Sequence, residues 1–295
     1  MKIYKPFVYT LIFNLFVISA IAQTKPFYED YDWDKNPIAN INVEKFEDKD
    51  IVAFKDKRVN EFAFVEDNAL VEYSLIHKLY WLNANDKIEE YNKVYLPYSA
   101  GSEVIKNKAR VITKEGKILE LDDSKILTSK DDETQRTYKY YALEGVEKGG
   151  YIEYYYVVKK YPSYTGNRVI LQSDFDKRNI EFDLFAPSNL IFESRSYNGL
   201  AELAKDTLTK GKNHWKLKID SLEGNENEEL APYKAMHRYI VYKLKTNSAN
   251  PSKDLVSYSL VAQNIYNSLY PETDKKIEEK LEALLKSIQD VKSND

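Results

Sequence analysis

The stretch that decides the fold is Tyr151-Ile152-Glu153-Tyr154-Tyr155-Tyr156-Val157-Val158-Lys159-Lys160, set between Gly149-Gly150 and Tyr161-Pro162. Aromatic and β-branched side chains pack well on a pleated surface, and glycine and proline punctuate both ends, so this is a long central strand. Its alternation splits it into two faces. Tyr151, Glu153, Tyr155, Val157 and Lys159 share the more polar face, which is expected to point outward. Ile152, Tyr154, Tyr156 and Val158 share the other, expected to point into a core. No nucleophile, general base or metal-ligand set lies on it.

Working outward, the same period recurs. Ala69–Leu82 places Val71, Tyr73, Leu75, His77, Leu79 and Trp81 on one face, with Glu72, Ser74, Lys78 and Tyr80 on a wetter one. Val104–Thr113 and Lys117–Leu121 flank the turn Lys114-Glu115-Gly116. Arg136–Leu143 is expected to pair with Tyr151–Lys160 across the loop 144–150. Strand signals also cover Ile51–Lys55, Val59–Val65, Asn167–Gln172, Asn179–Phe185, Leu190–Ser196, His214–Ser221 and Met236–Leu244. Asp86–Pro97 fits a helix and a strand about equally well. After Pro251 the period becomes helical, through Leu255, Tyr258, Val261, Ile265 and Leu269, and again through Ile277, Leu281, Leu284, Leu285, Ile288 and Val291. The expected fold is therefore mainly β, antiparallel β-sandwich in type, followed by a C-terminal pair of helices. The β region covers residues 51–245, as one body or as two packed subdomains with a boundary near 161–178. An extended lead-in occupies 23–50 and the helical segment 251–295.

The first 22 residues belong to a different problem. Lys2 and Lys5 precede an apolar run from Phe7 to Ile18, and Ala20-Ile21-Ala22 forms a small-residue cleavage site. Roughly twelve apolar residues are too few for a bilayer, which needs about twenty. The expectation is a cleaved signal peptide, export to the periplasm or beyond, and no transmembrane segment in the mature chain. Losing Lys2 and Lys5 moves the net charge from −4 to −6. That balance offers no footprint for nucleic acid.

The chain contains no cysteine, so thiol catalysis and cysteine-ligated zinc are impossible in it. It contains 25 tyrosines against 12 phenylalanines. Tyrosine suits a strand with one wet face, because the ring packs while the hydroxyl reaches water. A ligand-binding aromatic platform is the other reading, and its candidates are Tyr151, Glu153 and Tyr155. Three histidines are present. His77 falls on the apolar parity of its strand, His214 falls beside Lys216 and Lys218 on a parity read as solvated, and His237 precedes Arg238. No G-x-S-x-G or other nucleophile motif accompanies them. Asp30-Tyr31-Asp32-Trp33-Asp34 begins like a calcium loop, but Lys35 stands where a turn glycine is needed and Ile41 where a bidentate acid is needed. No catalytic residue, metal ligand or cofactor is expected.

Two phrases, Asn107-Lys108-Ala109-Arg110-Val111-Ile112-Thr113-Lys114-Glu115-Gly116-Lys117 and Gly145-Val146-Glu147-Lys148-Gly149-Gly150-Tyr151-Ile152-Glu153-Tyr154, resemble the domain of unknown function numbered 3857. That domain lies N-terminal to transglutaminase-like domains in exported bacterial proteins. The similarity spans roughly residues 60–220, with Glu115 where the family usually has aspartate. The resemblance implies a structural β module accessory to a Cys-His-Asp domain. This sequence has neither the cysteine nor a segment to carry that triad, so no catalytic residue is transferred. The amphipathic C-terminal helix calls for a surface, either the sandwich itself or a further domain. The expected function is a non-catalytic exported module with a structural or interaction role. The alternative is a carbohydrate- or peptide-binding protein that uses the tyrosine face.

Overall fold

The computed structural model describes residues 25–97, 99–121, 123–130, 137–225, 232–250, 258–270 and 275–292. The leader expected over residues 1–22 lies outside them. Fourteen strands are described: β1 (Ile51–Phe64), β2 (Leu70–Leu82), β3 (Lys93–Leu96), β4 (Ser102–Ile112), β5 (Ile118–Leu121), β6 (Ile126–Lys130), β7 (Thr137–Ala142), β8 (Gly150–Lys160), β9 (Asn167–Ile170), β10 (Asp176–Pro187), β11 (Leu190–Tyr197), β12 (Ala204–Asp206), β13 (Lys212–Leu222) and β14 (Tyr239–Asn247). The described helices are α1 (Asn85–Tyr91), α2 (Tyr233–Met236), α3 (Tyr258–Leu269) and α4 (Lys275–Lys292). Asp86–Pro97 thus resolves into both of its readings, a short helix and then an edge strand.

An eight-stranded sheet in the order β12-β13-β10-β1-β2-β8-β4-β5 forms the centre. Two three-stranded sheets, β11-β14-β9 and β3-β7-β6, complete the β structure. Strand pairs are antiparallel except β1–β10, which run parallel because the chain returns to β1 only after building β2–β9. Strands from both sides of residues 161–178 therefore share one sheet. β8 pairs with β2 and β4, while β7 pairs with β3 and β6. The expected pairing of 136–143 with 151–160 is thus replaced. Both neighbours of β8 are longer than β7 and give it a full register.

Both small sheets pack on one face of the central sheet. β11-β14-β9 covers Phe62, Ile180, Phe182, Leu184 and Leu217 with Leu190, Phe192, Ile240 and Tyr242. β3-β7-β6 covers Ala53, Tyr80, Ala109, Val111 and Ile152 with Val94, Leu96 and Tyr141. Each buried large side chain contributes about 1.5–3 kcal/mol. The opposite face is closed by the lead-in, which contains two short 3-10 turns at Phe27–Glu29 and Glu44–Phe46. Its Ile38, Ile41, Val43 and Phe46 sit on Val52, Phe54, Trp81 and Tyr151. Its Phe27, Tyr28, Tyr31 and Trp33 sit on Val59, Leu75, Tyr155 and Val157.

The layers on the two faces of the central sheet overturn two expectations. Tyr151, Glu153 and Tyr155 do not point outward: they are 6%, 0% and 0% exposed. Nor is the second face of β2 wet, since Glu72, Lys78 and Tyr80 are buried beneath the small sheets or between them. Polarity misassigns these faces because their charged groups find partners inside the protein. At the other end, every residue of 258–270 and 275–288 is exposed.

Candidate functional site

The chemistry-bearing side chains of the Tyr151–Lys160 strand converge under the lead-in. The β2–β8 register sets His77 opposite Tyr155 and Leu79 opposite Glu153, and the β4–β8 register sets Arg110 opposite Glu153. His77 Nε2 lies 2.8 Å from Glu153 Oε1, and Arg110 Nε donates to Glu153 Oε2 at 2.6 Å. Tyr31, from the lead-in, reaches His77 Nδ1 at 2.6 Å. With Nε2–H directed at a carboxylate, Nδ1 is the acceptor of the Tyr31 hydroxyl. Arg110 also donates to the Asp34 carbonyl and stacks its guanidinium 4.1 Å from the Trp33 ring centroid.

The electrostatics follow from that burial. Desolvation lowers the His77 pKa, against the raising effect of Glu153, while Lys55 and Arg110 lower it further. Desolvation also pushes the phenols of Tyr31 and Tyr155 well above their ordinary range, and the charges of Glu181 and Asp32 respectively add to this. The imidazole is neutral and both of its nitrogens are engaged. His77, Arg110 and Glu153 are at most 1% exposed, so a Tyr-His-Glu series exists here without access for a substrate.

Two acids of the lead-in, Asp32 and Asp34, serve the same closure, while Asp30 pairs within the lead-in. Asp30 pairs with Lys25 at 2.6 Å, Asp32 with Lys108 at 2.9 Å and Asp34 with Lys55 at 3.2 Å. The three carboxylates diverge to three lysines instead of converging on a cation. Burial works against the charge of Asp32, yet hydrogen bonds from Lys108 and Trp33 N hold its carboxyl below the usual range.

His214 is not solvated as expected. It is 7% exposed, 2.8 Å from Asp183 Oδ1, 3.0 Å from Thr209 Oγ1 and stacked on Phe185. The edge strand β12 brings Asp206 within 3.3 Å of its Nδ1, a contact that alternation within β13 could not announce. His237 follows α2, edge-on to Tyr233, with a buried Nε2 that lacks a protein partner among the described residues. A cleft of about 330 Å³ lies between β3 and β4, lined by Leu96, Ser102, Glu103, Asn107, Ile126 and Lys139. None of the predicted site residues reaches it. Among the described residues no cluster of three or more His, Asp or Glu is placed to hold a metal. No described helix is long and apolar enough to cross a membrane.

The two phrases singled out in the sequence are hydrogen-bonded neighbours. Ala109, Arg110 and Val111 stand opposite Tyr154, Glu153 and Ile152. The family described as "Domain of Unknown Function with solved-structure structure (DUF3857)" matches residues 75–223, which contain both. Comparison with curated proteins returns no match. Among solved structures, a putative protease from Parabacteroides distasonis aligns over 82% of this chain at 12% identity with a TM-score of 0.56. The chain spans 50% of that structure's length. A two-domain M1 zinc metallopeptidase aligns over 65% of this chain and 43% of its own, at 5% identity and a TM-score of 0.33, too low to argue a shared fold.

Proposed function

This chain belongs to the DUF3857 family, and on that premise we propose that it is a non-catalytic exported β module that docks a transglutaminase-like polypeptide through its C-terminal helices. The observation that carries this reading is the state of α3 and α4. Ile265, Leu269, Ile277, Leu281, Leu284, Leu285 and Ile288 are 48–69% exposed and recur at helical spacing. Such a stripe loses apolar surface to water only by meeting a partner, and an isolated helix is marginal in water. The extent of the similarity to the putative protease, half of that protein's length, suits a module that works beside another one.

The absence of cysteine and the enclosure of His77 support a non-catalytic role. The residue pattern at 1–22 supports export. A sugar or peptide would have to displace the lead-in before touching Tyr151 or Tyr155, so the docking reading is preferred.

The test is co-purification of this protein with the transglutaminase-like polypeptide or domain encoded at its own locus. Binding should fall at least tenfold in a Leu281→Glu/Leu284→Glu/Leu285→Glu variant whose β body melts normally. Undiminished binding, or a locus without a Cys-His-Asp polypeptide, overturns the reading. Export is tested by fusing residues 1–22 to a reporter that folds only outside the cytoplasm. Activity should vanish when Leu11, Phe13 and Phe16 become Asp.

A further inference from the structure

On the face of the central sheet opposite the lead-in, one carboxylate holds three cations. Asp56 of β1 is 0% exposed. Arg58 reaches it through Nε at 3.1 Å and Nη2 at 3.3 Å, Lys177 Nζ lies at 2.9 Å, and Lys78 Nζ pairs with the same Oδ2. The neighbouring acids are committed elsewhere or lie outside. Glu72 is held by Lys160 at 3.1 Å, Asp176 faces Arg178 at 3.6 Å, and Asp174 is exposed. With all three cations protonated the cluster would carry two positive charges beyond Asp56, offset only at its edge by Asp174, whose charge acts on Lys177. Buried charge without a counterion is costly, and the two remedies are loss of a proton or capture of an anion. Without a ligand the first remedy acts: burial, then repulsion from Arg58, pushes Lys78 well below its ordinary value despite Asp56.

The cluster is open on one side. The β1–β2–β8 register lays Asp56, Lys78 and Tyr154 in one row across the sheet, and Arg58, Ile76 and Tyr156 in the next. Arg58, Ile76, Tyr154 and Tyr156 are all half-buried, so these rows keep contact with solvent between the cores of the two small sheets, with Tyr154 and Tyr156 packed at the edge of the second core. The Tyr154 and Tyr156 rings lie parallel within 13°, with centroids 6.3 Å apart, beside Arg58. Nη1 of Arg58 has no partner among the described residues. A guanidinium with a free edge suits a carboxylate, and parallel phenol rings with Ile76 suit a flat apolar body.

We propose that this half-buried patch binds a small organic carboxylate, its oxyanion held by Arg58 and Lys78 and its body lying on Tyr154 and Tyr156. The site is separate from the docking helices and does not depend on them. Binding an anion restores the charge of Lys78, so the protein takes up a proton as the ligand enters.

Titration calorimetry of the purified protein with sodium benzoate, against inorganic phosphate, tests this in two buffers of different ionisation enthalpy. The expected result is benzoate binding at least tenfold tighter than phosphate, with proton uptake near pH 8. Arg58→Gln should weaken benzoate at least tenfold, and Lys106→Ala, on the covered face, should leave it unchanged. Tyr156→Leu keeps the charges and should weaken benzoate but not phosphate, which keeps the test usable if Arg58→Gln does not fold. Phosphate binding as tight as benzoate, no benzoate binding, binding without proton uptake, or binding indifferent to Arg58 or Tyr156 overturns the proposal.

Discussion

The Tyr31 hydroxyl donates to Nδ1 of His77 across 2.6 Å, joining a residue of the lead-in to a fully buried imidazole of the central sheet. The other nitrogen is held by Glu153, so His77 has no room for a second proton without losing Tyr31 as a donor. The unfolded chain has no such constraint.

That difference gives stability a definite pH dependence. Desolvation sets the folded pKa of His77 below its ordinary value of 6.5. As pH falls through 6.5 the unfolded state binds the proton first, so stability declines, by up to about 1.4 kcal/mol per pH unit. Above 6.5 this residue contributes no slope. Urea denaturation from pH 8 to pH 5 should show the decline, and His77→Gln, whose amide can replace both hydrogen bonds, should flatten it. An unchanged slope in His77→Gln would refute the assignment to this residue.

Arg110 and Glu153 form a buried pair whose value lies in its completeness. Arg110→Met leaves the Glu153 carboxylate in the interior facing only His77, and should cost about 3–5 kcal/mol. Adding Glu153→Gln removes the orphaned charge and should restore at least half of that loss. Denaturant midpoints of the two singles and the double measure the coupling. Additive losses would show that the pair is not the unit of stability.

The sheet architecture was legible where side chains repeat at period two: β2, β8, the β4–β5 hairpin and β13 lie where alternation puts them, and α3 and α4 where the helical period does. Which face is buried was not legible on Tyr151–Lys160. Glu153 reads as polar until Arg110, 43 residues away, neutralises it, and Tyr151 reads as exposed until Phe46 and its neighbours cover it. His214 was misread for the same reason, since Asp183 and Thr209 reach it from different segments. Alternation reports local geometry, whereas burial of a charge depends on pairings distant in sequence.

The Gly149-Gly150 entry into β8 can be tested directly. Gly149 adopts φ +85°, where a side chain is strained, and a Cβ on Gly150 would sit 3.0 Å from the Glu147 carbonyl and 3.1 Å from that of Ile112. Both crowding atoms are backbone, so relief requires shifts of the loop carrying Glu147 and of the end of β4 at Ile112. Gly150→Ala should therefore cost more than Gly149→Ala, which carries about 1 kcal/mol for its left-handed backbone. Comparison of thermal midpoints decides it, and equal losses would mean that the crowding is absorbed elsewhere.

Tyr155 separates a structural tyrosine from a binding one. Its ring packs edge-on to Tyr31 and Trp33, and its hydroxyl donates to Asp32 Oδ1 at 3.2 Å. Tyr155→Phe deletes that one hydrogen bond and should cost no more than about 1.5 kcal/mol. Tyr155→Ala opens a cavity between sheet and lead-in and should cost about 3–5 kcal/mol. It should also make the segment from Phe27 to Phe46 the first site cut in limited proteolysis, because the lead-in loses the ring on which Tyr31 and Trp33 rest. If Tyr155→Ala is instead stable and uncut, the lead-in is a loose cover. The face beneath it, with Tyr151 and Glu153, then returns as a surface that a ligand can reach.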